Sequence, residues 1–227
     1  KLKIFAAALM LALDCQHFTQ TRIATIDSYP VLFILFSWLF MLRFMQRDIV
    51  RLPVKKFLPD LALSGLFMGL GIASKWIGVY SGAGLAVAFF WTIFRHMRMA
   101  ATSAHLLKTD KSLSDEDRKI LTLRDQTTMK RVLVICLWCL LFFVAIPLAI
   151  YLLAYIPYFA YAHFDNLKDY LTAVWNAQLR MFSYHSKPGL GMDHPFYSPW
   201  YEWIFNQRPM YYASPTYVNT PGWSYAI

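Results

Sequence analysis

The chain has 227 residues, of which 58% are hydrophobic and 18% aromatic, with only 15% charged. That composition excludes an ordinary soluble domain and predicts a polytopic, all-α membrane protein. The formal charge of +9 is then a question of which membrane face the cations occupy, not a sign of a nucleic-acid partner.

Five apolar spans follow one another. The first covers Leu2 to about Phe18; Lys1-Leu2-Lys3 leads into its apolar run without a signal-peptide cleavage signature. The second runs from about Ile23 to Leu42, the third from Phe57 to Ala73, and the fourth from Trp76 to Phe94. The fifth begins at Val132 and stays uncharged to Ala162, longer than a crossing needs, so Pro147 and Pro157 are predicted kink sites. The expected domain division is a transmembrane bundle over residues 1–162, with a cytoplasmic loop at 95–131, and an extracytoplasmic region over 163–227.

Charge fixes the expected orientation. Lys1 and Lys3 precede span one, Arg43 to Lys56 separate spans two and three, and Arg95 to Arg131 separate spans four and five. These groups hold sixteen of the 22 basic residues, and alternating spans put all of them on one face. The positive-inside rule makes that face cytoplasmic. Arg22 and Lys75 then lie on short turns of two separate hairpins at the outer face, where they are placed to meet one anion.

Gly65-x-x-x-Gly69 and Gly78-x-x-x-Gly82 predict close helix packing. The 95–131 loop reads as solvated and mixed in charge, with a short helix capped at Ser112 or Ser114 and an attraction to anionic lipid. Beyond span five, Leu167, Tyr170, Leu171, Val174, Trp175 and Leu179 recur at helical spacing after an Asp165 or Asn166 N-cap, which fits an interfacial helix. The remaining tail, rich in Pro and aromatics, predicts structured loops.

Several residues carry chemistry. Cys136-x-x-Cys139 sits inside an apolar span with no second ligand pair, so both read as core residues, as does Cys15. Arg22 has Asp14 and Asp27 close in sequence and is either a phosphate ligand or half of an ion pair locking the hairpin. Lys75 has no acid in its own run and is either a phosphate contact or an interfacial lysine reaching headgroups. His185, Asp193, His194 and Glu202 match no standard metal spacing, and no metal or cofactor is assigned.

Three blocks resemble one family. ALDCQHFTQTRIATIDSY (Ala12 to Tyr29), GLGIASKWIGVYS (Gly69 to Ser81), and YHS (Tyr184 to Ser186) followed by HPFYSPWYEWIFNQRPMYY (His194 to Tyr212) are similar to the protein O-mannosyltransferases. These are polyprenyl-phosphate-mannose-dependent enzymes of the GT-C fold. The resemblance implies inverting transfer of mannose from a lipid phosphate to Ser or Thr hydroxyls of a translocated protein near the translocon. It implies that Arg22 and Lys75 hold the lipid phosphate. Asp14, Asp27, Tyr184, His185, His194, Ser198, Trp200 and Glu202 become candidate donor or acceptor contacts. The direct passage from YHS to HPFYS fits the bacterial form in the plasma membrane, its active face extracytoplasmic. The family's catalytic Asp-Glu pair precedes the matched blocks and has no counterpart on the outer side here, so this sequence reads as an internal piece that is inactive alone. The alternatives are a GT-C transferase of another sugar, or a transporter or lipid-binding subunit for an anionic solute.

Overall fold

The computed structural model describes residues 2–13, 21, 26–159, 164, 166–190, 197–203 and 207. They form helices, with no strand among the described residues. In chain order these are α1 (Leu2–Ala12), α2 (Ser28–Met45), a 3-10 turn (Val54–Lys56), α3 (Leu58–Ser74), α4 (Gly78–Thr109) and α5 (Asp115–Leu140). A wide helical turn (Leu141–Ala145) leads into α6 (Ile146–Leu153) and α7 (Tyr155–Tyr158). Then come α8 (Leu167–His185) and α9 (Trp200–Trp203). The chain divides into two compact units, Lys1–His163 and Phe164–Ile227.

Two helices among the described residues are long and apolar enough to cross a membrane: Ser28–Met45, and Asp115–Tyr158 taken as one helical run. The expected third span is an apolar helix of 17 residues. The fourth is the first half of α4, where glycine and serine dilute the apolar run. The first is helical over Leu2–Ala12, and residues 14–20 lie outside the described residues.

α2 and α3 pack through aromatic rings and a buried hydrogen bond. Phe67 stacks against Phe33, Phe36 and Phe40, and Ser64 Oγ donates to the Ser37 carbonyl at 2.9 Å. On its other side α3 presents Gly65 and Gly69 to the Leu141–Ile150 region. A Cβ on Gly65 would stand 2.1 Å from the Phe142 carbonyl oxygen, and one on Gly69 2.9 Å from Pro147 Cα. The expected G-x-x-x-G contact is thus a backbone-to-backbone approach that any side chain would block. The partner helix is itself irregular there. Pro147 has no N–H to donate and its ring crowds the preceding turn, and the ladder widens over Leu141–Ala145 just before it. The second break, at Ala154, lies before Pro157.

Two of the predicted basic groups converge at one end of the bundle. Arg43 and Arg47 both bind the buried Asp60 carboxylate, at 3.3 and 3.2 Å, in the first turn of α3. Arg124 binds Asp48 at 3.1 Å, Arg95 donates to the Met45 carbonyl at 2.6 Å, and Arg131 donates to the Ile49 and Leu52 carbonyls. The 95–131 segment is therefore not a solvated loop. α4 and α5 extend through it as antiparallel neighbours and leave a turn of only five residues, Asp110 to Ser114. Local charge pairing and Ser114 capping Asp117 N–H at 3.1 Å support these helix ends, which apolar periodicity alone does not reveal.

His96 is buried at this end, with neither ring nitrogen in hydrogen-bond geometry. Burial, then the Arg95 charge and that of Arg124, push its pKa below the ordinary 6.5. Asp48 and the Arg47 carbonyl pull the other way and do not prevail. The unfolded chain therefore takes up this proton first. The His96 contribution is complete above about pH 6.5 and is lost as pH falls below it. We expect the apparent melting temperature to drop between about pH 7.5 and 5.5, and the drop to shrink in His96→Phe. A slope identical to wild type would show that His96 does not titrate on unfolding.

In the second unit, Asn166 caps α8 by accepting from Asp169 N–H at 3.0 Å. Val174 and Ala177 are buried, while Leu167, Leu171, Trp175 and Leu179 form an exposed row four residues apart. The apolar residues predicted for one face thus divide between a buried and an exposed side.

Candidate functional site at the Lys75 turn

At the end of the bundle away from the arginines, α3 stops where its sequence turns polar. Lys75 leaves the helix in extended backbone (φ −161°, ψ 139°) while its N–H still reaches the Gly71 carbonyl at 3.1 Å. Three residues on, the Gly78 N–H donates to the Lys75 carbonyl at 3.0 Å and α4 begins. A Cβ at Gly78 would lie 2.7 Å from Gly71 C and from Ile72 N, so this reversal closes only because Gly78 has no side chain to hold it off the α3 backbone.

The Lys75 ammonium forms an ion pair with Asp27, the residue before α2. Asp is a favoured N-cap residue, yet the Asp27 side chain caps no backbone N–H of α2. Its carboxylate turns to Lys75 and ties the start of α2 to the turn between α3 and α4. Both side chains are about two-fifths exposed (44% and 37%), so the pair adds little stability, about 0–1 kcal/mol. Its consequence is position: a cation is held at the turn within reach of solvent.

The neighbouring Trp76 is fixed from a different element. Its indole N–H donates to the Tyr151 hydroxyl at 2.7 Å, and Tyr151 packs edge-on against Tyr155, ring centres 5.5 Å apart. Tyr155 continues to Tyr158 and Phe159. Trp38 likewise donates to Ser81 Oγ at 3.1 Å. Such amphipathic rings suit a membrane boundary. Tyr151→Phe removes the hydroxyl that accepts from Trp76 and also lies 3.3 Å from the Tyr155 hydroxyl, at about 1 kcal/mol per hydrogen bond, and frees the Trp76–Lys75 turn. The expected outcome is a small fall in melting temperature together with a larger fall in transfer rate; equal, small effects on both would make Tyr151 a packing residue only.

Below the turn lies an apolar cavity of about 580 Å³, lined by Ile72, Val79, Gly82, Phe89, Cys139 and Phe143 among others. Ile72 and Val79 bracket Lys75 in sequence, and from Val79 to Phe90 the cavity follows α4 for about 16 Å. Cys136 and Cys139 are free thiols in this wall.

A family model described as dolichyl-phosphate-mannose-protein mannosyltransferase matches residues 4–167. The chain belongs to that family. It is thus a glycosyltransferase by family, and the apolar helices are consistent with a membrane protein. Searches of curated proteins and of solved structures gave no match.

The matched stretch of this mannosyltransferase contains Asp14, Arg22, Asp27 and Lys75. Asp27 and Lys75 are brought together; Asp14 and Arg22 lie outside the described residues, as does His194. The other candidates belong to the second unit, beyond the match. Tyr184 and His185 close α8, their rings edge-to-face at 5.2 Å, with Lys187 Nζ 5.8 Å from the centre of the Tyr184 ring. Ser198 precedes α9, Trp200 opens it, and the Glu202 N–H donates to the Pro199 carbonyl at 3.0 Å. Tyr151, seventy-five residues from Trp76, was missed in the sequence because nothing local marks it; its only signal was a hydroxyl in an apolar span, which it shares with Tyr155 and Tyr158.

Proposed function

We propose that this chain carries the lipid-phosphate end of a GT-C-type, inverting mannosyltransferase that uses polyprenyl-phosphate mannose and modifies Ser or Thr hydroxyls of proteins at the outer face of the plasma membrane. One observation carries the reading. The cation at the Lys75 turn stands over an apolar cavity, matching a donor with an anionic head and a hydrocarbon tail. Lys75, together with Arg22, holds the phosphate, and the prenyl chain follows α4 between Val79 and Phe90.

The chemistry sets the roles. The acceptor oxygen attacks the anomeric carbon from the face opposite the phosphate, the carbon–oxygen bond to phosphate breaks with its electron pair, and configuration inverts. The bound phosphodiester carries one negative charge and the departing phosphate monoester carries more. A fixed ammonium therefore binds the transition state more strongly than the substrate. The hydroxyl proton goes to a carboxylate base, which the family resemblance implies is an Asp-Glu pair. Asp27 keeps the ammonium aimed before donor arrives. The exposed Leu167–Leu179 row of α8 suits a helix lying in the outer interface.

The test is transfer by membranes containing the full-length protein. Radiolabelled polyprenyl-phosphate mannose and polyprenyl-phosphate arabinose are compared, with a Ser/Thr-rich peptide as acceptor. Transfer from the mannose donor to peptide supports the reading. Transfer from the arabinose donor alone assigns a different sugar, and transfer from neither overturns it.

A further inference from the structure

The arginine end of the bundle has a cavity of its own. It measures about 450 Å³, lies between α4 and α5, and is lined by Trp91, Phe94, Arg95, Arg98, Leu121 and Arg124 among others. Counted along α4, Arg98 is about 30 Å from the start of the helix at Gly78, so this cavity is separate from the Lys75 turn.

Its lining has two parts. Trp91, Phe94, Leu106 and Leu121 are apolar, while Arg95, Arg98 and Arg124 supply three guanidinium groups, and no carboxylate lines it. The three cations are incompletely used. Arg124 binds Asp48 through Nη2, but its Nε–H is buried with no acceptor. Arg95 donates through Nη2 to the Met45 carbonyl, leaving its other donors. Arg98 is exposed, lies 5.8 Å from the Phe94 ring centre, and has no carboxylate at ion-pair distance among the described residues. A buried guanidinium N–H without an acceptor is costly, and planar forks of this kind match phosphate oxygens.

We propose that the cavity between α4 and α5 binds the phosphate headgroup of an anionic phospholipid, with Arg95, Arg98 and Arg124 as donors. The order of residues along α4 selects a lipid over a soluble phosphate. The exposed apolar residues Val87, Phe90, Trp91 and Phe94 lie immediately before Arg95 and Arg98. Acyl chains run along the first group while the phosphate sits at the second, at the level where α4 leaves the apolar zone. A free phosphate makes no use of Trp91 and Phe94. Through Arg124 and Asp48, the bound headgroup also joins the α4–α5 hairpin to the segment after α2. This site does not depend on the donor assignment above.

The experiment measures binding of a short-chain phosphatidylglycerol to the purified full-length protein in neutral detergent. Phosphatidylcholine and inorganic phosphate serve as competitors. Arg98→Gln is compared with Lys119→Gln, which removes the same charge from an exposed position of α5 outside the cavity lining. Arg98 is exposed, so its variant keeps the wild-type melting temperature. The expected result is saturable binding, weakened about fivefold by Arg98→Gln, unchanged by Lys119→Gln, and displaced by neither competitor. Equal losses in both variants would reduce the effect to diffuse charge. No loss in Arg98→Gln, or displacement by inorganic phosphate, would overturn the lipid site.

Discussion

Lys75→Ala is expected to lower mannosyl transfer about 30- to 1,000-fold, the equivalent of about 2–4 kcal/mol of transition-state stabilisation. Protein level and membrane insertion should stay at wild-type values. The two effects separate because the Lys75–Asp27 pair is half-exposed and holds the fold only weakly. Phosphate charge, by contrast, grows as the glycosidic bond breaks. Lys75→Arg keeps the charge but alters its reach and is expected to recover part of the rate. Asp27→Asn keeps the ammonium and loses its aim, so its effect should fall on KM more than on kcat. If correctly inserted Lys75→Ala transfers at the wild-type rate, Lys75 is an interfacial lysine and the phosphate role fails.

Gly65→Ala is expected to destabilise the bundle by about 2 kcal/mol or more. Two effects compete. Alanine in place of glycine inside a helix gains up to about 1 kcal/mol in propensity. The added methyl would sit 2.1 Å from the Phe142 carbonyl oxygen, and backbone cannot step aside as a flexible side chain can. Overpacking of this kind costs about 1–3 kcal/mol even where neighbours give, so the clash prevails. Gly71→Ala is the internal control: its Cβ would meet Phe33 Cβ at 3.5 Å, an ordinary contact. Propensity should then decide, leaving stability equal or slightly higher. Melting curves of the two variants in the same detergent check the contrast. A Gly65→Ala protein as stable as wild type would mean that α3 does not approach the Phe142 region this closely.

Particular residues explain what was legible in the sequence. The polar Ser74-Lys75 break between two apolar runs marks the hairpin turn correctly, because a lysine and free backbone groups are costly in hydrocarbon. Gly65 and Gly69 announce close packing, and Pro147 and Pro157 announce irregular helix. The lysine's partner was not legible: Asp27 is forty-eight residues away and reads as a helix cap or a partner for Arg22. Tyr151 was hidden for the same reason, since long-range pairing leaves no periodic trace. The 95–131 segment misled in the other direction. Its high charge resembles a solvated loop, but Arg95, Arg124 and Arg131 are bound to Asp48 and to carbonyls at the end of α2 and in the segment after it, and the helices run through. The family match covers residues 4–167, which includes the turn but none of the aromatic tail.

The most direct measurement is equilibrium binding of polyprenyl phosphate, the product that carries the anionic head and the chain but no sugar, to the purified full-length protein and its Lys75→Ala variant. Binding isolates the phosphate contact from the base and from the acceptor. The account predicts saturable binding that Lys75→Ala weakens at least about tenfold, in line with loss of a charged hydrogen bond of about 1.5–3 kcal/mol. Equal Kd values for the two proteins would contradict it and move the lipid phosphate away from this turn.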